Sequence, residues 1–293
     1  MKVASCSIII LENLYLKEFI EWQKEKAFSH VFIYDHNTKE NPLDVLQPYV
    51  DEGFVTVIPW QGHQIGPAVM EAFQDCWDKY KDSYDGIQFC DIDEYLEFND
   101  PEITNVDEYL SQKKFDSVDI IKINWMCFDD NDLIYYDDRP QQERFTRCCG
   151  VNGDPLTFLE NRHIKCIINT KAKDIDFLHG TAHCPNRFYG INKERGIYRY
   201  DLKITNNNGT PISFKHQRRE SKIKSINYDQ AYFKHYRCKT IEEYCLNKIN
   251  KLPFSKYKNI DFNLGFFYHY NKCNNEKTEY YKNFINSLKS NGD

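Results

Sequence analysis

The fold class is decided by Asp85-Gly-Ile-Gln-Phe-Cys-Asp91-Ile-Asp93-Glu94-Tyr-Leu-Glu97. In this stretch a short apolar run leads directly into two aspartates one residue apart, which is typical of a buried strand with an acidic end. The preceding residues, 66–81, place Val69, Phe73 and Trp77 at helical spacing. The stretch therefore predicts a helix followed by a buried strand.

The chain before this stretch shows the same alternation. Residues 3–11 form an apolar run, residues 14–26 carry apolar side chains at helical spacing, and residues 30–34 form a second run that ends at Asp35. Another helix opens at Asn41-Pro42 and stops before a strand at 54–58. The alternation predicts an α/β fold with a mostly parallel, Rossmann-like sheet flanked by helices, whose ligands bind beyond the carboxyl ends of the strands.

The later half of the chain is less regular. A helix at 106–113 and a strand at 117–125 are followed by polar loops and short segments. We predict that helices resume from Ile226, and that Thr240 and Glu243 form a capping box for a helix at 240–248. The remaining residues, 251–293, are predicted to be a helical C-terminal extension.

Charge is distributed unevenly along the sequence. The net charge is -6, but residues 1–138 carry 29 acidic and 10 basic side chains, whereas residues 215–258 carry 12 basic and 4 acidic ones. The acidic part could hold a divalent cation, and the basic part could face phosphate groups, although ordinary solvated faces explain most such charges equally well. Because the basic cluster at 215–224 lacks interleaved aromatic residues, we expect no nucleic-acid partner.

The cysteines and the hydropathy indicate where the protein works. None of the 11 cysteines belongs to a C-x-x-C pair, and residues 1–11 lack the pattern of a secretory signal. We expect reduced thiols and no zinc site. No stretch has the roughly 18–20 apolar residues that cross a bilayer. The expectation is a cytoplasmic protein with at most peripheral contact at the inner face of the membrane.

The two aspartates suggest a specific chemistry. At the end of a buried strand, Asp91 and Asp93 place hard oxygen donors where magnesium or manganese can bridge them to a diphosphate. The alternative is that Asp91 and Asp93 cap the turn that follows.

At this point the sequence resembles the GT-A nucleotide-sugar transferases, in particular the family-2-like and glycosyltransferase family 92 (domain of unknown function 23) groups. The resemblance covers roughly residues 3–250, in the family's order. Four segments carry it: Ile8-Ile-Ile-Leu-Glu12 with Tyr15-Leu-Lys-Glu-Phe-Ile-Glu-Trp22, Val31-Phe-Ile-Tyr-Asp35, the Asp91-Ile-Asp93-Glu94 stretch, and Phe233-Lys-His235-Tyr236 with Lys239-Thr-Ile-Glu-Glu-Tyr244. In the first segment, Ile10-Leu11 stand where the family has Lys-Asn.

The resemblance implies a nucleotide-sugar site and a metal. By it, Glu12 and Asp35 bind the base and ribose of UDP, and Gln64, Asp91 and Lys165 belong to the donor site. The metal, Mn²⁺ or Mg²⁺, would be held by Asp91, Asp93 and His235. After Lys165, the family has histidines, here His179 and His183, which a helix could align on a metal if Gly180 did not disfavour it.

An inverting transfer also needs a base that deprotonates the acceptor hydroxyl, and a carboxylate is the usual choice. Asp129, Asp130 and Asp132 follow the predicted strand at 117–125 and a segment that resembles the family's Trp-x-x-Phe-Gly. We place Asp130 and Asp129 ahead of Glu143, which lies in another family-like segment. A solvated acidic loop would give the same pattern.

The resulting hypothesis is a metal-dependent inverting glycosyltransferase that moves a hexose from a UDP-sugar to a glycan or lipid-linked acceptor, as in bacterial capsule or lipopolysaccharide synthesis. Residues 1–250 would form the GT-A domain, with 1–125 as the nucleotide-sugar half and 126–250 as the acceptor half. One alternative is a non-catalytic nucleotide-sugar or carbohydrate-binding protein on the same scaffold. Another, a nucleotidyltransferase, should show an early Gly-rich phosphate loop, which this sequence lacks.

Overall fold

The predicted alternation of strands and helices is present in the computed structural model, which describes residues 1–36, 39–61, 65–185, 190–192, 196–198, 202–212, 221–249 and 260–290. Within these residues the strands are β1 (Val3–Ile9), β2 (His30–His36), β3 (Val55–Trp60), β4 (Gly86–Phe89), β5 (Glu94–Phe98), β6 (Ile120–Cys127), β7 (Ile164–Asn169), β8 (Gly190–Asn192), β9 (Gly196–Tyr198), β10 (Ile204–Asn206) and β11 (Ala231–His235). The helices are α1 (Asn13–Glu25), α2 (Leu43–Asp51), α3 (Ile65–Tyr80), α4 (Val106–Leu110), α5 (Gln141–Arg144), α6 (Ile241–Tyr244), α7 (Ile260–Tyr270) and α8 (Asn275–Ser290).

The main sheet has the order β3-β2-β1-β4-β7-β6-β11-β5, with β10 paired to β6. The strands β3, β2, β1 and β4 are parallel to one another. The strand β7 is antiparallel to both β4 and β6, so β4 and β6 run in the same direction. This mostly parallel sheet confirms the predicted α/β class, and it brings the carboxyl ends of β1, β2, β4 and β6 to one edge.

Contacts between Cα atoms divide the chain into two units. The first contains residues 1–125 and 160–234, and the second contains residues 126–159 and 235–293. The core of the first unit packs α3 against the sheet through Phe73, Trp77 and Phe89, each at most 2% exposed. The second unit contains α5, α6, α7 and α8, the last two of which lie in the predicted C-terminal extension.

Two local predictions have different outcomes. The capping box is confirmed, because the Thr240 side chain accepts from the Glu243 N–H and the Glu243 carboxylate accepts from the Thr240 N–H. The prediction that helices resume from Ile226 is wrong, since residues 231–235 form β11. The reason is visible in the alternating burial of Ala231, Phe233 and His235, which has the period of two that a strand requires.

A glycine in the second unit should be irreplaceable. Gly150 has φ +136°, and a Cβ there would lie 2.0 Å from the Asp154 carbonyl oxygen, whereas Gly53 has φ +75° with no atom within 4 Å of a Cβ. We expect Gly150→Ala to lower the free energy of unfolding by about 3 kcal/mol or more, because strain and overlap add. Gly53→Ala should cost only about 1 kcal/mol. Equal losses in urea denaturation would contradict this account.

Candidate active site

The two aspartates lie on a turn between β4 and β5. The Asp91 carbonyl accepts the Glu94 N–H at 3.1 Å, and β5 begins at Glu94. Because the chain turns here, strand alternation does not fix the directions of the two carboxylates. The Asp91 side chain is 44% exposed, whereas Asp93 is 7% exposed. The turn therefore presents one solvated and one nearly buried carboxylate.

A buried ion pair holds this turn in place. Lys165 on β7 donates from Nζ to Asp91 Oδ2 at 3.0 Å and to the Ala182 carbonyl at 3.2 Å. The same Nζ lies 3.3 Å from Glu94 Oε2, and both the Lys165 and Glu94 side chains are fully buried. Glu94 Oε2 also accepts the Asp91 N–H at 2.9 Å. Lys165 and Glu94 thus fix both the backbone and the side chain of Asp91.

The electrostatics of this pair follow from burial and proximity. Burial raises the pKa of Glu94 well above its ordinary value, although Lys165 opposes the shift. Burial alone would lower the pKa of Lys165, but the carboxylates of Asp91 and Glu94 outweigh it and raise that pKa. Lys165 is therefore a permanent cation at the acidic turn.

Polar side chains lie below the turn, in the middle of the sheet. Cys90 Sγ is 3.9 Å from Ser5 Oγ and 3.8 Å from Ser7 Oγ. Gln88 donates from Nε2 to Ser5 Oγ at 3.3 Å and to Cys90 Sγ at 3.2 Å. Burial and the nearby Glu94 carboxylate raise the pKa of Cys90 to about 12, so this thiol is a packing group and not a nucleophile.

The residues predicted to bind the nucleoside lie at the same edge of the sheet. Asp35 is half-buried near the end of β2 and is in register with Ile9, the last residue of β1. Glu12 is the N-cap residue of α1. The residue directly before Glu12, Leu11, adopts φ 51°, a left-handed conformation that asparagine tolerates far better than leucine. This left-handed backbone conformation explains why an asparagine would suit the position where the family has one. Gln64 lies outside the described residues.

A cluster of three rings lies at this edge, and the family resemblance singles out only one of them, His183. The Trp125 and His163 rings stack with centroids 4.7 Å apart, and the His183 ring lies 5.1 Å from Trp125 and 5.5 Å from His163. The sequence does contain a usable pattern, because His163 precedes Lys165 by two residues and shares its strand face. His179, by contrast, is exposed and paired with Asp176 in a turn.

The predicted acidic bases all belong to the second unit. Asp130 is fully buried with Lys277, whose Nζ lies 2.6 Å from Asp130 Oδ2. Burial raises the pKa of Asp130, while Lys277 opposes the shift. Asp129 accepts from Arg147 Nε at 2.6 Å, and Asp132 accepts from Arg147 Nη1 at 2.7 Å. Both of the preferred bases are thus bound to cations.

Two further predicted residues of this unit, Glu143 and His235, differ in exposure. Glu143 is exposed on α5. Its neighbour Arg144 is buried and donates to both carboxylate oxygens of Glu243, at 2.8 and 3.0 Å. Arg144 is therefore a structural residue of this unit. His235 is 3% exposed at the end of β11, and its carbonyl accepts the Phe128 N–H at 3.1 Å.

Taken together, the mostly parallel sheet and the acidic turn that follows β4 define an α/β fold of the kind in which ligands bind beyond the carboxyl ends of the strands. The profile of glycosyltransferase family 92 matches residues 3–252. The chain therefore belongs to glycosyltransferase family 92, which confirms the family resemblance, and the mostly parallel sheet agrees with the predicted α/β class. None of the curated proteins matches the sequence.

Two solved structures are similar to the chain at low identity. A fragment of S. aureus TarS, residues 1-349, is 15% identical with a TM-score of 0.36, and the match covers 58% of this chain and 47% of that one. The mannosyltransferase PcManGT from Pyrobaculum calidifontis, solved with GDP-Man and Mn2+, is 11% identical with a TM-score of 0.32, over 42% of this chain and 35% of that one. The chain thus matches less than half the length of either protein.

The buried pair at the turn should dominate local stability. Lys165→Met leaves the Glu94 carboxylate buried without its cation, so we expect the free energy of unfolding to fall by about 3–5 kcal/mol. Adding Glu94→Gln should restore part of the loss. The control is Lys24→Met, which breaks the exposed Lys24–Glu52 pair and should cost at most about 1 kcal/mol. Urea denaturation measures all four proteins, and a similar loss in both single variants would contradict the assignment.

Proposed function

We propose that the chain transfers a hexose from a UDP-sugar to a hydroxyl group of a glycan or lipid-linked acceptor, with inversion at the anomeric carbon and with a divalent metal. The observation that carries the proposal is the acidic turn of a family 92 member, where a buried lysine and glutamate hold Asp91 beside Asp93. A diphosphate and a cation are the ligands that this mixture of charges suits.

The metal would be held by Asp93 and Asp91 of the first unit. The donor set fits, since carboxylate oxygens are the protein ligands that suit Mn²⁺ and Mg²⁺. When bound, the metal would neutralise the charge that develops on the leaving diphosphate. Lys165 cannot leave its buried position without stranding Glu94, so it keeps Asp91 oriented for the cation and adds positive charge beside the phosphates.

The remaining donor contacts are proposed from position. Glu12 and Asp35, at the ends of β1 and β2, would accept hydrogen bonds from the uracil and the ribose hydroxyls, and Gln64 would lie by the sugar. These roles need acceptors at the carboxyl edge of parallel strands, which is where Glu12 and Asp35 stand.

The pathway and the location are also proposals. We propose that the enzyme builds bacterial surface polysaccharide, in capsule or lipopolysaccharide synthesis, and works in the cytoplasm or at the inner face of the membrane. Among the helices in the described part of the chain, none combines the length and apolar character needed to cross a bilayer.

The metal assignment predicts a loss of activity without a loss of fold. In Asp93→Asn we expect release of UDP from the active UDP-sugar to fall at least about 100-fold, because an amide oxygen binds the cation far more weakly than a carboxylate. Circular dichroism and the melting temperature should stay close to wild type. The control, Asp116→Asn, changes an exposed aspartate and should retain activity. Full activity of Asp93→Asn, or full wild-type activity in excess chelator, would refute the metal-dependent mechanism.

Binding can be tested without knowing the donor sugar or the acceptor. UDP should raise the melting temperature only when Mn²⁺ is present, because a ligand stabilises the native state according to its affinity for it. The shift should disappear in Asp93→Asn and persist in Asp116→Asn. A shift that is equal with and without metal would favour a non-catalytic nucleotide-binding protein.

A further inference from the structure

A histidine and a glutamate form a pair immediately before β7. His163 Nδ1 lies 2.9 Å from the Glu160 carbonyl and 3.0 Å from Glu160 Oε2. Both partners are acceptors only, so Nδ1 carries a proton and Nε2 is the nitrogen with the lone pair. This is how a carboxylate orients an imidazole that acts as a base.

The pair lies at the edge of the sheet where the acidic turn is found. The Trp125 N–H donates to the His163 carbonyl at 2.9 Å, which extends the β6–β7 ladder by one residue. His163 therefore shares a strand face with Lys165, one pleat away at roughly 7 Å along the strand. Lys165 in turn contacts Asp91. The imidazole thus stands near the predicted diphosphate site, within the first unit.

Packing fixes the plane of the imidazole while leaving it partly accessible. The ring stacks on Trp125, which is 2% exposed, at an interplanar angle of 28°. The His163 side chain itself is 15% exposed, and that of Glu160 is 27% exposed. A rigid, partly solvated imidazole meets the geometric demand on a general base, whose position must be held before the substrate arrives.

The carboxylates that the sequence suggested are less suited to this role. Asp130 is fully buried against Lys277, and Asp129 accepts from Arg147. A neighbouring cation stabilises the ionised carboxylate and so opposes proton uptake. Each of these two aspartates completes a contact that holds the second unit together.

We infer that His163, oriented by Glu160, is the general base of the sugar transfer, an inference that rests on the proposed function. In the reaction Nε2 takes the proton of the acceptor hydroxyl, and the hydroxyl oxygen forms a bond to the anomeric carbon. The bond from that carbon to the diphosphate oxygen breaks, and its electron pair leaves on UDP. The Glu160 carboxylate stabilises the imidazolium, which then releases its proton to water.

The charged and titratable groups around the imidazole define the expected pH dependence. Glu160 and His183 face it, and Lys222 donates to Glu160 Oε2 at 3.1 Å. Because the base must be unprotonated, the rate should rise with pH along an acid limb. Glu160→Gln removes the carboxylate that stabilises the imidazolium, so it should move that limb to lower pH and lower kcat about 10-fold.

The wild-type protein is first incubated with Mn²⁺ and with UDP-galactose, UDP-glucose or UDP-N-acetylglucosamine, to find which donor it hydrolyses with water as the acceptor. The test then measures the release of UDP from that donor. His163→Gln should lower kcat at least about 100-fold and abolish the acid limb, while the dissociation constant of UDP with Mn²⁺ stays within about threefold. The matched control is His179→Gln, since His179 forms an equivalent pair with Asp176 but is exposed, and it should behave as wild type.

The outcomes separate the two proposals. If His163→Gln keeps the wild-type kcat and acid limb, His163 is not the base, although the glycosyltransferase assignment stands. A wild-type protein that binds no UDP with Mn²⁺ and hydrolyses none of the three donors would contradict the proposed function and this inference together. If His163→Gln melts at a much lower temperature than wild type, its low activity could come from unfolding, and the pH profile of Glu160→Gln is then the test of the assignment. An acid limb at the same pH as in wild type would overturn the assignment of His163 as the base.

Discussion

The geometry of the acidic turn at Asp91 and Asp93 depends on one buried interaction, the contact of Lys165 with Asp91 and Glu94. It connects the end of β4 to the beginning of β7, two neighbouring antiparallel strands. Burying a lysine and a glutamate lowers the stability of the fold unless the two charges pair with each other and form further hydrogen bonds. Here the lysine also donates to a carbonyl and the glutamate also accepts a backbone N–H. The turn that carries Asp91 and Asp93 is therefore held by contacts within the protein itself, which is the preorganisation that electrostatic catalysis requires.

The same edge of the sheet also gathers the other groups that transfer would use. Parallel strands place Glu12 and Asp35 beside the acidic turn, and the antiparallel β7 brings Lys165 and His163 back to it. An antiparallel strand inserted next to the central parallel ones thus supplies cationic and imidazole side chains to an edge that the parallel strands make acidic. The charge complementarity of the proposed donor site arises from this topology.

Much of the fold could be predicted from local patterns, because β1, α1, β2 and α3 carry strong periodicity in their own residues. The strand β11 could not, since its five residues lie in a polar neighbourhood and only the burial of alternate side chains against the sheet reveals them. In the site, the acidic turn was predictable from Asp91 and Asp93. Lys165 entered the prediction only through the family resemblance, and its contact with Asp91, 74 residues away in sequence, could not be predicted from local patterns. The stacking of His163 on Trp125 exists only once β6 and β7 pair.

The central claim is that the Asp91–Asp93 turn, held by Lys165, binds the metal of a nucleotide-sugar site. Crystals grown with UDP and Mn²⁺ and measured at the manganese absorption edge would test it most directly. The account predicts an anomalous difference peak for a manganese ion within bonding distance of the Asp93 carboxylate and of a UDP phosphate, with Lys165 still donating a hydrogen bond to Asp91. A peak bound elsewhere, or UDP bound away from this turn, would contradict it.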